Sequence, residues 1–299
     1  MIRVKVPATS ANMGPGFDSL GIALGLYNII EAEETDGEML MYAGKKQISF
    51  NSNNLIYKAM QKVFDECNYA PRGIKIALNS NIPRTRGLGS SSACIIGGML
   101  SANIISGRQF EYGDLLNFAA EMEGHADNVT PAMYGGFCTS VYENGKVYHT
   151  SHKLVNGLRF AVMVPEYYVP TRESRTVLPE SFSKGDTVYN ISHASMFTAA
   201  MITGKTELLK NACKDRIHQR YRKNYVEHME DIFEKSYELG SCATYLSGSG
   251  PTVLSVLNGN FNGFSFEMNR FFADGGMNWK CRVLKIDNVG AVVSTASEF

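Results

Sequence analysis

The sequence predicts an α+β protein in two lobes. Strand-like alternation and helix-like periodicity both occur in each half of the chain, and they do not follow the regular βαβ order of a doubly wound sheet. A loop at Asn156-Gly157 precedes a fresh apolar strand, which sets the division at 1–156 and 157–299. A chain of 299 residues accommodates two domains of roughly 100–200 residues each.

The elements follow in chain order. Residues 2–6, Ile-Arg-Val-Lys-Val, alternate apolar and polar and read as a strand. Pro7 to Asp18 is rich in Ser, Asn and Gly and reads as a loop, with a second strand over 27–33. Apolar residues at 55, 56, 59, 60, 63 and 64 share one helix face, so a helix is expected over 54–67. A strand over 73–78 leads to a turn at 81–86, a small-residue helix over 91–106 and an amphipathic helix over 115–124. Gly135 to Tyr142 returns to strand. In the second half, a strand at 158–165 is followed by helical patterns at 187–203, 205–214 and 224–239. The glycines of Tyr245-Leu-Ser-Gly-Ser-Gly-Pro251 interrupt the pattern before a strand at 252–257, a helix at 262–274 and a strand at 281–286.

Composition excludes several classes. With 44 % apolar residues the chain can bury a sizeable core, and disorder is excluded. Basic and acidic residues balance at 29 each, which speaks against a nucleic-acid coat or a polybasic membrane anchor. The longest weakly polar run, 93–106, is too short to span a bilayer. The first residues lack the apolar core of a signal peptide. Six cysteines are scattered without a CxxC pair, which suggests reduced thiols and a cytoplasmic location. His149 and His152 have no third ligand nearby, so no metal site is read there.

The segment richest in chemistry is Pro83-Arg84-Thr85-Arg86-Gly87-Leu88-Gly89-Ser90-Ser91-Ser92-Ala93. Its glycines admit close backbone approach to an anion, its serines add hydroxyl donors, and the helix that follows presents unpaired N–H groups and a positive dipole end. Together they suit a polyphosphate. It is not a Walker A loop, since no Lys follows the last glycine. Asn12 and Asp18 lie in a stretch bent by Gly14, Pro15 and Gly16, where an amide and a carboxylate can grip an ammonium and a hydroxyl. An Asx-turn is the bland alternative. Asn54 opens a helix and as an N-cap needs no further explanation.

The Pro-x-x-x-Gly-Leu-Gly-Ser-Ser-Ser-Ala string resembles the nucleotide loop of the GHMP kinases. Three other segments agree: Pro7 to Gly21 resembles the opening of the homoserine kinase branch, Glu121-Met-Glu-Gly-His-Ala-Asp-Asn128 its active-site segment, and Leu246-Ser-Gly-Ser-Gly-Pro-Thr252 the third motif of the superfamily. The resemblance implies an N-terminal lobe like the second domain of ribosomal protein S5 and a ferredoxin-like C-terminal lobe. It implies ATP on the 83–93 string with Asn54 on its adenine side, and L-homoserine between the lobes. It assigns Mg²⁺ to Glu121, with Glu123 in reserve. Substrate contacts fall by the same resemblance to Asn12, Asp18, His125, Thr171, Arg175 and Arg222, with Arg220 competing for the last place. Two arginines suit an amino-acid carboxylate. Asn128 would orient the hydroxyl, and the part played by Asp127 stays open. A mevalonate or sugar kinase and a silent nucleotide-binding relative are the rivals; the N-terminal segment and His125-Ala-Asp-Asn128 speak against the first, the intact phosphate loop against the second. A homodimer is left open.

Overall fold

The computed structural model describes residues 1–154, 157–169 and 171–295, with the side chains of 171–173 left out. The first half contains β1 (Ile2–Asn12), β2 (Gly16–Glu34), β3 (Met39–Ala43), β4 (Lys46–Ile48), α1 (Leu55–Glu66), β5 (Ile74–Ser80), α2 (Ser90–Ile105), α3 (Tyr112–Glu123), α4 (Val129–Tyr134), β6 (Phe137–Glu143) and β7 (Lys146–His152). The second contains β8 (Leu158–Pro165), α5 (Thr171–Thr176), α6 (Lys184–Thr203), α7 (Leu209–Ala212), α8 (Gln219–Arg222), α9 (Met229–Glu238), β9 (Ala243–Leu246), β10 (Val253–Asn258), α10 (Phe261–Asp274), β11 (Trp279–Leu284) and β12 (Val292–Thr295).

These strands form two sheets. The larger runs β12-β1-β2-β5-β3-β4, with β6 also pairing β2 and β7 pairing β6. The smaller runs β11-β8-β10-β9 and is antiparallel throughout. With α9 and α10 it makes a β-α-β-β-α-β unit, the ferredoxin-like arrangement, whose core includes Met163, Ile232, Leu246, Phe264, Met268 and Phe272. The chain's last strand crosses back to the larger sheet, where Thr295 stands opposite Ile2. The expected division at Asn156 falls outside the described residues.

Three expectations are corrected. Pro7 to Asp18 is not a loop: β1 and β2 stay paired from Ala8↔Leu24 to Asn12↔Gly16, with irregularities after Pro7 and after Ala11. The strand lacks apolar alternation because its small polar residues, Thr9 and Ser10, are buried and hydrogen-bonded to distant side chains. The turn itself is confined to a few residues and uses the left-handed region at Asn12, Met13 and Gly14. The helix expected over 224–239 begins only at Met229, because His228 has φ +58°. The helix expected over 205–214 is a 3₁₀ turn followed by α7.

Helix α2 carries the phosphate loop into the core. It is uncharged, and the run Ile95 to Asn103 is buried on every side, as expected of a helix covered all round. Its glycines allow that cover. A Cβ on Gly98 would stand 2.5 Å from the backbone oxygen of Ile56 in α1. Gly113, in the first turn of α3, has nothing within 4 Å of that position.

The two glycines should therefore respond oppositely to alanine. Helix propensity favours each substitution by about 1 kcal/mol. At Gly98 overpacking against rigid backbone costs about 1–3 kcal/mol and wins. Chemical denaturation should show Gly98→Ala less stable and Gly113→Ala more stable than the parent.

Candidate active site

A cavity of about 350 Å³ opens between the lobes, and the phosphate loop forms one wall. Gly89 is the N-cap of α2 with φ +64°, and no side chain caps the helix. The first helical bond runs from Ala93 N–H to Gly89 O at 2.9 Å, so the N–H groups of Ser90, Ser91 and Ser92 have no partner inside the helix. They and the dipole end form an anion cradle. Only glycine fits at 89, since a Cβ there would lie 1.9 Å from Thr9 Oγ1. The third-motif turn packs on the loop: Ser247 Oγ donates to Gly87 O at 2.5 Å, and Gly248 N–H to Ala11 O at 3.0 Å. Gly248 and Ser249 line the cavity.

The carboxylate beside this cradle is Glu123. It accepts from Ser92 Oγ at 2.8 Å and from Ser91 Oγ at 3.1 Å. Glu121, the carboxylate that resemblance assigns to the metal, is placed elsewhere. It pairs with Lys62 at 3.0 Å on the outer side, and its side chain is 59 % exposed. Two steps along a helix turn a side chain by about 200°, so the two glutamates of α3 cannot face the same wall. Hard oxygen donors from Glu123, Ser91 and Ser92 fit a Mg²⁺ ion.

The opposite wall is cationic and buried. Arg222 is 1 % exposed. Its Nε donates to Ser174 O at 3.0 Å, and its Nη1 to Gly248 O and to His218 Nδ1, each at 3.1 Å. Nη2 has no bond among the described residues, and Arg222 lines the cavity. Burial, with the nearby Arg175 charge, pulls its pKa down to about 10. Because His218 Nδ1 accepts from Arg222, its Nε2 is the protonated nitrogen and donates to Gly14 O at 2.7 Å; this is the neutral ring, and burial lowers its pKa. Arg220, the competitor, points outward to Asp186 at 3.0 Å and is not at the cavity. Arg175 reaches Asp18 with two bonds, 2.9 and 3.3 Å. Asn12 also lines the cavity, but its side chain is committed: Nδ2 donates to Gly248 O and Oδ1 accepts from Asp18 N–H.

The remaining expected residues divide. Asn54 lines the cavity and also caps α1 through Ile56 N–H. Arg84, Thr85, Gly87, Leu88 and Ser90 line it too. Arg86 spends its guanidinium on the carbonyls of Arg84, Pro165 and Glu166, tying the loop to the end of β8. Pro83 faces a neighbouring groove and Ala93 is buried in α2; neither lines the cavity. Thr171 opens α5, and its side chain lies outside the described residues. Sequence reasoning missed Thr9 and His218. Thr9 lies inside the Pro7–Asp18 segment and His218 just before Arg220 and Arg222, but nothing in residue type or spacing singles either of them out.

His125 and Asp127 form a close pair, Nδ1 to Oδ1 2.5 Å. Burial works against the imidazolium, but the bond to Asp127 and its charge outweigh it, so the pKa is raised above the ordinary value. With Asp18 these two place donor atoms within 4.8 Å of one another. Each carboxylate there already has a partner, Arg175 for Asp18 and His125 for Asp127, so the trio is read as a wall of paired groups. Asn128 lines the cavity and its Oδ1 accepts from Thr9 Oγ1 at 2.7 Å.

Comparison with known proteins agrees with this geometry. The family model "GHMP kinases N terminal domain" matches residues 54–136, and "GHMP kinases C terminal" matches 198–260. The chain is 44 % identical to the homoserine kinase of Clostridium beijerinckii and 42 % identical to that of Clostridium botulinum, in each case over 98 % of both chains. Its fold is similar to the crystal structure of homoserine kinase from Cytophaga hutchinsonii, with TM-score 0.86 and 25 % identity over 98 % of this chain and 97 % of that one. Mevalonate kinase of Methanococcus jannaschii shares the fold at TM-score 0.72 and 16 % identity, over 96 % of this chain and 98 % of that one.

The His125–Asp127 pair makes a prediction about pH. Because the folded imidazole pKa is raised, the pair stabilises the protein below the ordinary histidine value, and that contribution fades as pH rises through the folded value. In Asp127→Asn, burial acts largely unopposed, and the His125 value should fall below the ordinary one. NMR titration of the ring reads the change of sign directly.

Proposed function

Because the chain belongs to the GHMP kinase family, we infer that it is a homoserine kinase, which transfers the γ-phosphoryl group of ATP to L-homoserine and makes O-phospho-L-homoserine for threonine synthesis. The observation that carries this is the joining of two walls in one cavity: an uncapped helix N-terminus suited to phosphates, and a buried guanidinium with an acidic neighbour suited to a zwitterion.

The residues divide the work. Backbone N–H groups of Ser90 to Ser92 hold phosphate oxygens. Glu123 with the Ser91 and Ser92 hydroxyls would hold Mg²⁺, which when bound neutralises charge on the β- and γ-phosphoryl oxygens. Arg222 receives the substrate carboxylate on its unbonded Nη2, and Asp18 attracts the ammonium. Asn128 meets the acceptor hydroxyl. An amide cannot take a proton near neutral pH, and the Asp127 carboxylate is engaged by His125. Transfer passes through a loose transition state in most analyses, so little early proton removal is needed. The hydroxyl oxygen bonds to the γ-phosphorus as the bond to the ADP oxygen breaks, and the proton passes to a phosphoryl oxygen or to water.

No described helix is long and apolar enough to cross a membrane.

ADP release measured with ATP, Mg²⁺ and a panel of alcohols tests the assignment. Homoserine should turn over, with mevalonate, galactose and 4-hydroxybutyrate at least about 10²-fold poorer in kcat/KM, since a site built to pair polar groups rejects an analogue lacking them. Absence of homoserine turnover, or equal use of 4-hydroxybutyrate, overturns it.

The two glutamates should separate in the same assay. Glu123→Gln should lower kcat by about 10²–10³-fold, the range for losing one electrostatic stabiliser of the transition state. Glu121→Gln should stay within about twofold, because it breaks only an exposed ion pair with Lys62.

A further inference from the structure

Thr9 lies on β1 between the two halves of the site. It is fully buried, and its backbone N–H donates to Leu88 O of the phosphate loop at 3.2 Å. Its hydroxyl packs against Gly89, the residue with no room for a Cβ. The same hydroxyl donates to Asn128 Oδ1 at 2.7 Å. Strand alternation sends Ser10 to the other face, where it meets Ser247 Oγ at 2.8 Å, so the two neighbouring hydroxyls serve different loops.

A carboxamide has an acceptor end and a donor end of almost the same shape, and a half-turn exchanges them. A threonine hydroxyl can donate to the oxygen or accept from the nitrogen, so it anchors whichever end faces it. In this structure it donates to the oxygen. The nitrogen is left with no bond among the described residues, on a residue that lines the cavity. A hydroxyl oxygen that must attack phosphorus is oriented by a donor without surrendering its proton beforehand. An amide turned the other way would offer an acceptor and bind the hydroxyl through that proton.

We propose that Thr9 is a positioning residue for phosphoryl transfer: its hydroxyl holds the Asn128 amide with nitrogen toward the cavity, and its backbone ties that amide to the phosphate loop. The role rests on the homoserine kinase reading. Thr9 does not itself line the cavity, so it acts through Asn128, which does.

Steady-state kinetics of Thr9→Ala, Thr9→Ser and both combined with Asn128→Ala test this. Wild-type phosphorylation of homoserine comes first: its absence refutes the functional assignment, whatever the variants do. With wild-type turnover established, Thr9→Ala should lower kcat by about 10–100-fold, the scale of a misplaced reacting group, with KM for ATP and for homoserine within about threefold. Thr9→Ser, which differs from the alanine variant only by the hydroxyl, should recover kcat to within about threefold of wild type. In the Asn128→Ala background the Thr9→Ala change should alter kcat by less than about twofold, because coupled residues are non-additive. If Thr9→Ala does not fold, the isosteric Thr9→Val takes its place in each comparison. Equal kcat for the alanine and serine variants overturns the proposal, as does a Thr9→Ala loss that persists in full without Asn128.

Discussion

The buried guanidinium of Arg222 is the constraint around which the two lobes are arranged. A charge this deep is costly unless its donors are met, and here three segments meet them: Ser174 before the second lobe's long helix, His218 one turn earlier, and Gly248 in the third-motif turn. His218 in turn holds Gly14, and Asn12 holds the same Gly248 carbonyl. The turn between the first two strands is thus locked to the second lobe through one cation. Nη2 stays without a partner among the described residues, and under the proposed function a substrate carboxylate would complete the set. The lowered pKa, about 10, expresses the same imbalance: burial without a directly bonded carboxylate.

The phosphate side is built on a different economy of space. Each glycine of Gly87-Leu88-Gly89 sits where another element presses close, Ser247 on one and Thr9 on the other. Close packing fixes the loop without spending its N–H donors, and these remain for an anion. Glu123 then orders the serine hydroxyls at the same mouth. The uncapped helix end and the buried guanidinium thereby stand on opposite walls of one cavity, so a nucleotide and a zwitterion can be held at once without competing for the same partners.

Much of the fold was legible because its long helices and its apolar strands carry local periodicity. The expected bounds of β8 match to the residue, and those of α1, α2, α3 and α10 to within a few residues. What escaped lacks that signal. The strand through Thr9 and Ser10 is held by distant side chains, and β12 exists only because β1 offers it an edge at Ile2 to Lys5. The helix expected over 205–214 is a 3₁₀ turn and α7, and the one expected over 224–239 begins only at Met229, because local propensity does not register where a left-handed residue such as His228 stops a turn.

The glycine-serine segment, the order of the motifs and the family they point to are legible in the chain alone, because they rest on residue types at short spacing. The choice between neighbouring residues is made by packing in the fold. Glu121 and Glu123, like Arg220 and Arg222, stand two positions apart, so a helical turn sends one of each pair inward and the other to solvent. Which of them faces the cavity depends on what each one meets: Lys62 of α1 draws Glu121 outward, and the carbonyls of Ser174 and Gly248 hold Arg222 inward, partners that come from elsewhere in the fold.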